Sequence, residues 1–230
     1  QLQIIESKAF YKCSIESLTI PASVVSIKDG AFEFEDKFVE MNVDINNSQY
    51  KKQDGLIIGK TDPKNDDYDI LIFANKNIEK AEIPSTIKRI WPNAFRNTNL
   101  TSITIPKSVV EIGDSSFEDC GKLEEVKFED NSELQIIGKS AFFNSSIKTI
   151  VIPPNVTQIS DEAFSISQLK QIVFSENSKL RSIGDSAFSY TYIKNIIIPP
   201  NATEISSSAF SECKALKGIV FENKKMNLKS

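Results

Sequence analysis

The sequence predicts a curved, right-handed solenoid of about nine turns, with a parallel β-sheet on its concave side and an inserted β-hairpin; three repeating signals predict it. The first is an apolar-x-x-apolar-x-apolar hexad at residues 15–20, 38–43, 78–83, 100–105, 123–128, 147–152, 169–174, 193–198 and 216–221. Hexads start 22 to 24 residues apart, except that 40 residues separate Phe38 from Ile78, one 22-residue repeat plus 18. The second is an Ala-Phe or Ser-Phe pair ending at Phe10, Phe32, Phe95, Phe117, Phe142, Phe164, Phe188 and Phe210. The third is an apolar pair lying between the other two, as in Val24 and Ile27, Ile87 and Ile90, Val109 and Ile112, or Val156 and Ile159. Fifteen Phe against two Met and one Trp fits one structural slot being filled again and again.

Each element has a local cause. The end of the hexad alternates with period two and is rich in Ile, Val and Thr, which predicts a short strand. Pro21, Pro84, Pro106, Pro153 and Pro199 stop it, because proline has no N–H for a ladder. One turn of about 23 residues cannot bury its apolar side alone, so neighbours stack and their strands form a parallel sheet. Strand spacing of about 4.8 Å on that side, against bulkier Phe-bearing turns opposite, bends the stack with the sheet concave. The Phe rings should form an internal aromatic ladder. Cys13, Cys120 and Cys213 each follow a Phe by three residues, in the slot that elsewhere holds Glu35, Thr98, Ser145, Ser167 and Thr191. They read as residues packed at a turn, and an odd count without a C-x-x-C pair suggests neither a disulfide framework nor a zinc knuckle. The insertion reads as a hairpin with strands at 56–58 and 70–73, joined by a polar connection at 60–69 that is too long for a two-residue turn.

Leu100-Thr-Ser-Ile-Thr-Ile-Pro-Lys-Ser-Val-Val-Glu-Ile-Gly-Asp-Ser-Ser-Phe-Glu-Asp-Cys120 closely resembles the repeat L-x-x-I-x-I-P-x-x-V-x-x-I-G-x-x-A-F-x-x-C. That is the pattern of the BspA-like leucine-rich repeats, of the Treponema-pallidum type, and the matching strands run along essentially the whole chain. The resemblance implies a leucine-rich-repeat solenoid over residues 1–230 as a single domain, with the hairpin inserted within 45–77. It also implies an extracellular or surface-anchored protein of a bacterium or parasitic protist, used in adhesion to host matrix, host cells or other microbes. Asn46-Asn-Ser-Gln-Tyr-Lys-Lys-Gln-Asp-Gly-Leu-Ile-Ile58 is similar to a segment such proteins often carry between repeats; Ala74 stands where they usually have a proline.

Composition narrows the function. A net charge of −4 and a pI near 5.1, with scattered Lys and Arg, offer no field for nucleic acid. No apolar run approaches the roughly 20 residues of a membrane span. Gln1 opens in mid-pattern without a signal peptide, so the chain reads as part of something longer. Both ends cut through a repeat without a polar cap, from Leu2 to Phe10 and from Leu216 into Lys224 and Ser230, which would favour end-to-end association. The absence of histidine removes the commonest general base and metal ligand, and the carboxylates are dispersed, so neither an enzyme nor a cofactor is expected. The acidic cluster of Asp62, Asp66, Asp67 and Asp69 lacks the spacing of a twelve-residue calcium loop and reads as a solvated hairpin tip. Asn-x-Ser/Thr sequons at Asn46, Asn99, Asn144, Asn155 and Asn201 would carry glycans on turns if the source is a secreting eukaryote.

Strand side chains alternate faces, so the third and fifth hexad positions point out of the sheet. The fifth reads Thr19, Asn42, Glu82, Thr104, Lys127, Val151, Val173, Ile197, Val220, turning from polar to aliphatic. Beside its last part run Thr149, Gln171 and Asn195. Contiguous apolar surface of this kind marks interfaces, and these seven residues are the expected partner-binding site, for a protein or glycan or for self-association. The competing reading is that β-branched residues simply suit a strand. Three functions stand against one another: an adhesin module, a spacer that binds nothing, and a hydrolase, for which no acid pair converges.

Overall fold

The computed structural model describes residues 1–32 and 38–222; Glu35 and the stretch 224–230 lie outside the described residues. Within the described residues the chain is a β-solenoid without a helix, and nothing there is long and apolar enough to be a membrane-crossing helix.

The first side carries the hexad strands Ser17–Ile20, Glu40–Val43, Ser102–Ile105, Glu125–Phe128, Thr149–Ile152, Gln171–Phe174, Asn195–Ile198 and Gly218–Phe221. They are parallel, as expected, but they pair two by two rather than as one sheet. Proline decides where the ladder breaks. Glu129, Ser175 and Glu222 donate their N–H groups to the carbonyls of Ile105, Ile152 and Ile198 at 3.1, 3.1 and 2.9 Å. The equivalent donors to Phe128 and Phe174 would be residues 153 and 199, and both are proline. The hexad at 78–83 forms no named strand and keeps one bridge, Glu82 to Thr104, just before Pro106.

The second side carries the apolar pairs as two-residue strands. Arg89–Ile90, Glu111–Ile112, Ile136–Ile137, Gln158–Ile159, Ser182–Ile183 and Glu204–Ile205 stack in parallel register. The insertion extends this sheet and not the hexad side. Ile70–Ala74 pairs in parallel with Arg89–Ile90, Leu56–Gly59 pairs antiparallel with Ile70–Ala74, and a third strand, Tyr50–Gln53, pairs antiparallel with Leu56–Gly59. The two expected strands are therefore joined by one more, giving a nine-stranded sheet.

The third side is made of the Phe turns. Phe10, Phe95, Phe117, Phe142, Phe164, Phe188 and Phe210 are each bracketed two residues before and two after by left-handed backbone, as at Ser115 and Asp119 or Glu162 and Ile166. That alternation points every second N–H at the next turn: Ser115, Phe117 and Asp119 donate to the carbonyls of Lys139, Ala141 and Phe143 at 2.7, 2.8 and 3.0 Å. Inside, the expected aromatic ladder is present. Phe95, Phe117, Phe142, Phe164, Phe188 and Phe210 stack with centroids 4.8 to 5.5 Å apart and planes within 11°. Phe10 and Phe32 form a separate stack at 5.8 Å.

The ladder is interrupted because the insertion runs through the core as a wall with two apolar faces. Ile57, Ile70 and Ile72 pack with the N-terminal turns, including Ile20, Val24, Phe32 and Met41. Leu56, Ile58, Leu71 and Ala74 face the other way, into the larger cluster that runs to Ala209. Near-continuous burial on both faces is what a strand between two layers requires.

The cysteine slot holds small residues at a turn, as expected where it is described. Thr98, Ser167 and Thr191 donate their hydroxyls to the carbonyl of the Phe three residues earlier, and Cys120 and Cys213 direct their thiols to the Phe carbonyl of the preceding turn at 3.0 Å. All three cysteines are free thiols. Burial pushes the Cys120 thiol up to about 11, which keeps it protonated and unreactive at neutral pH. In the native protein, iodoacetamide is therefore expected to label the half-exposed Cys13 at least about tenfold faster than Cys120, with peptide mass mapping as the readout. Equal rates would contradict the packing.

Candidate binding face

The seven residues expected to form a binding surface are all exposed on the hexad side. Val151, Val173, Ile197 and Val220 are 55, 42, 58 and 58% exposed, although each is an aliphatic side chain in a strand. Thr149, Gln171 and Asn195 stand exposed two residues before them. Within each strand pair the register aligns these residues directly: Thr149 opposite Gln171, Val151 opposite Val173, and Ile197 opposite Val220. Between the pairs, where proline breaks the ladder, two clefts open. One, of about 450 Å³, is lined by Lys127, Asp130, Val151 and Pro153; the other, of about 870 Å³, joins Val173 and Ile197 with Glu176, Pro199 and Glu222. Val173 and Ile197 thus meet across a cleft and not along a ladder.

The second hexad position adds a column that the outward third and fifth positions do not reveal. It reads Glu16, Val39, Glu79, Thr101, Glu124, then Lys148, Lys170, Lys194 and Lys217. All four lysines are exposed. Lys148 is paired with Glu124 at 2.7 Å, the last acid of the column against the first base. Lys170, Lys194 and Lys217 have no ion pair among the described residues. A tabulation of position two along the stack exposes this switch without any structure.

The N-terminal part of the same face is spent internally. Lys52 of the insertion reaches Glu40 at 2.6 Å and Asn42 at 2.7 Å, the third and fifth positions of the second hexad, and that contact holds the Glu40 carboxyl below its ordinary range. Lys127 pairs with Glu125 at 2.9 Å on its own strand. The acidic tip of the insertion turns onto its own backbone: Asp69 accepts from the N–H and the hydroxyl of Thr61, and Asp62 from the N–H of Lys64. Among the described residues no three His, Cys, Asp or Glu side chains group as metal ligands would. Four of the five sequon side chains hydrogen-bond among the described residues, the Asn46 amide donating to Asp44 at 3.2 Å and the Asn144 amide to Asp119 at 2.9 Å. The amide nitrogens of Asn155 and Asn201 donate to the Ser132 and Ser178 carbonyls at 2.8 and 2.7 Å, bridging consecutive turns.

The family of BspA-type leucine-rich repeat regions matches residues 1–53 and 69–179, in six copies. The chain belongs to the BspA-type leucine-rich repeat family. The match takes in the strands Thr149–Ile152 and Gln171–Phe174 and ends before the pair Asn195–Ile198 and Gly218–Phe221, while its internal gap, 54–68, falls on the insertion. Solved structures of similar shape agree. A leucine-rich cell-surface protein from Faecalibacterium prausnitzii is 27% identical with a TM-score of 0.69, over 97% of this chain and 52% of that one. The pneumococcal vaccine antigen PcpA is 22% identical with a TM-score of 0.66, over 98% and 49%. A leucine-rich repeat protein from Bacteroides ovatus is 24% identical with a TM-score of 0.59, over 96% and 59%. At these lower identities the last two show the fold alone. The chain spans about half the length of the first of these structures. No functionally curated protein matches it.

Proposed function

We propose that this BspA-type solenoid is a binding module at a cell surface, serving adhesion or another contact with a protein or glycan, through the C-terminal part of its hexad face. The observation that carries this reading is the aliphatic column of Val151, Val173, Ile197 and Val220, left 42 to 58% exposed over four successive turns. A solenoid gains nothing from aliphatic side chains in water when threonine, equally β-branched, suits the same strand position, as it does at Thr19 and Thr104. The cell-surface relative from Faecalibacterium prausnitzii supports the location, and the family supports binding over catalysis.

The test is the double variant Val173→Glu with Ile197→Glu, probed for capture of host-cell or matrix preparations. Both side chains are exposed, so the melting temperature should stay within a few degrees of the parent. Capture should fall by roughly a hundredfold, because two charges are placed at the centre of the apolar contact. Unchanged capture would remove the face from consideration. A parent protein that captures nothing would favour a spacer that presents other domains.

A further inference from the structure

Two columns on this face change character at the same turn. Position two passes from acidic to basic between Glu124 and Lys148, and position five passes from polar to aliphatic between Lys127 and Val151. The strand Thr149–Ile152 and the three after it therefore present, in order across the sheet, a row of lysines, a row of Thr149, Gln171, Asn195 and Gly218, and a row of aliphatic side chains. Past the aliphatic row, where the strands exit, acids border the clefts: Glu129 and Asp130 at one, Glu176 and Glu222 at the other. Among the described residues, Lys148 alone of the four lysines has an internal counter-ion.

We propose that the occupant of this strip is an amphipathic α-helix of a partner protein, with an aliphatic stripe flanked on one edge by carboxylates. The inference rests on the binding reading above and names its partner. The three unpaired lysines call for negative charge on one side only, and the acidic border repels it on the other, so a uniform polyanion fits neither the aliphatic row nor that border. Spacing selects the helix. Side chains on one helix face recur about every 5.4 Å along the axis, close to the roughly 4.8 Å between strands within a pair and to the 5.2 to 5.5 Å steps of the Phe column along these turns, so one apolar and one acidic contact fall on each turn of the solenoid. An extended segment repeats on one face about every 6.8 Å and loses register within two turns.

The probe is a fluorescent, alanine-based 18-residue helix carrying a leucine stripe beside a glutamate stripe, with a second peptide in which lysine replaces every glutamate. The protein should bind the glutamate peptide and not the lysine one, with affinity falling as salt rises. Lys170→Glu with Lys194→Glu should weaken the glutamate peptide by about tenfold or more and bring the lysine peptide up by a similar factor, at unchanged melting temperature. A charge-reversed protein that binds both peptides as the parent does would overturn the proposal. So would heparin displacing the peptide, binding to phosphatidylserine vesicles at the affinity of the peptide, or a face occupied by a second copy, read as dimerisation that the lysine reversal dissolves. The two readings fail separately. If Val173→Glu with Ile197→Glu abolishes capture while charge reversal changes neither peptide, the face binds but its partner is not an acidic helix; if neither variant changes anything, both readings fall.

Discussion

Phe142→Ala is expected to destabilise the protein by about 3 to 5 kcal/mol. The ring is fully buried and stacks on Phe117 at 5.1 Å and on Phe164 at 5.2 Å, so its removal opens a cavity and breaks two aromatic contacts at once. The surroundings cannot collapse to fill the gap. Phe142 donates its N–H to Ala163 at 2.7 Å and Phe117 donates to Ala141 at 2.8 Å, and these bonds hold the backbone of three turns at fixed spacing. Urea titration followed by circular dichroism measures the loss. A cost below about 1 kcal/mol would mean that the aromatic column fills space without ordering the stack. In a solenoid each turn contacts only its neighbours, so the damage should also be local, and proteolysis should begin near the substituted turn.

The insertion is expected to behave as a mechanical joint, and the double variant Ile57→Ala with Ile72→Ala should show it. Both side chains are buried against the N-terminal cluster, while Leu56, Ile58 and Leu71 on the opposite face keep the larger core closed. Each truncation costs about 2 to 5 kcal/mol, enough to release the N-terminal turns from the wall. Hydrogen exchange should then lose protection at Ile5, Ile20, Val24 and Ile27 and retain it from Phe95 to Phe188. Uniform loss of protection along the whole chain would show instead that the two clusters unfold as one unit.

The physical basis of legibility differs from element to element. The hexads, the apolar pairs and the Phe column were readable because each satisfies a local requirement that recurs, and recurrence makes a weak local signal strong. Outward exposure of Val151, Val173, Ile197 and Val220 followed from strand alternation alone. The strand at Tyr50–Gln53 was not readable, because Lys51, Lys52 and Gln53 give it no apolar alternation; it forms by pairing with Leu56–Gly59, anchored by Asn47, whose side-chain oxygen accepts from the Gln49 and Tyr50 N–H groups at 2.8 Å. The left-handed brackets around the Phe turns are not legible in the sequence either, since the slot tolerates Ser, Asn, Lys, Glu, Tyr and even Ile at position 166. A β-branched residue there carries backbone strain that the hydrogen bond from Ile166 to Ser189 helps to hold.

The sequence by itself determined a leucine-rich solenoid, its period, the strand that faces water and the residues on it, because those properties depend on neighbours a few residues away in the chain. Only the tertiary structure decided that the insertion joins the second sheet, divides the core, and ties up the N-terminal part of the hexad face through Lys52. It also decided that proline splits the hexad sheet into pairs with clefts between them, and that three of four lysines in a column lack a counter-charge among the described residues. Those outcomes depend on which turn lies against which, and a donor missing on one turn becomes a gap only beside the carbonyl of the turn before it.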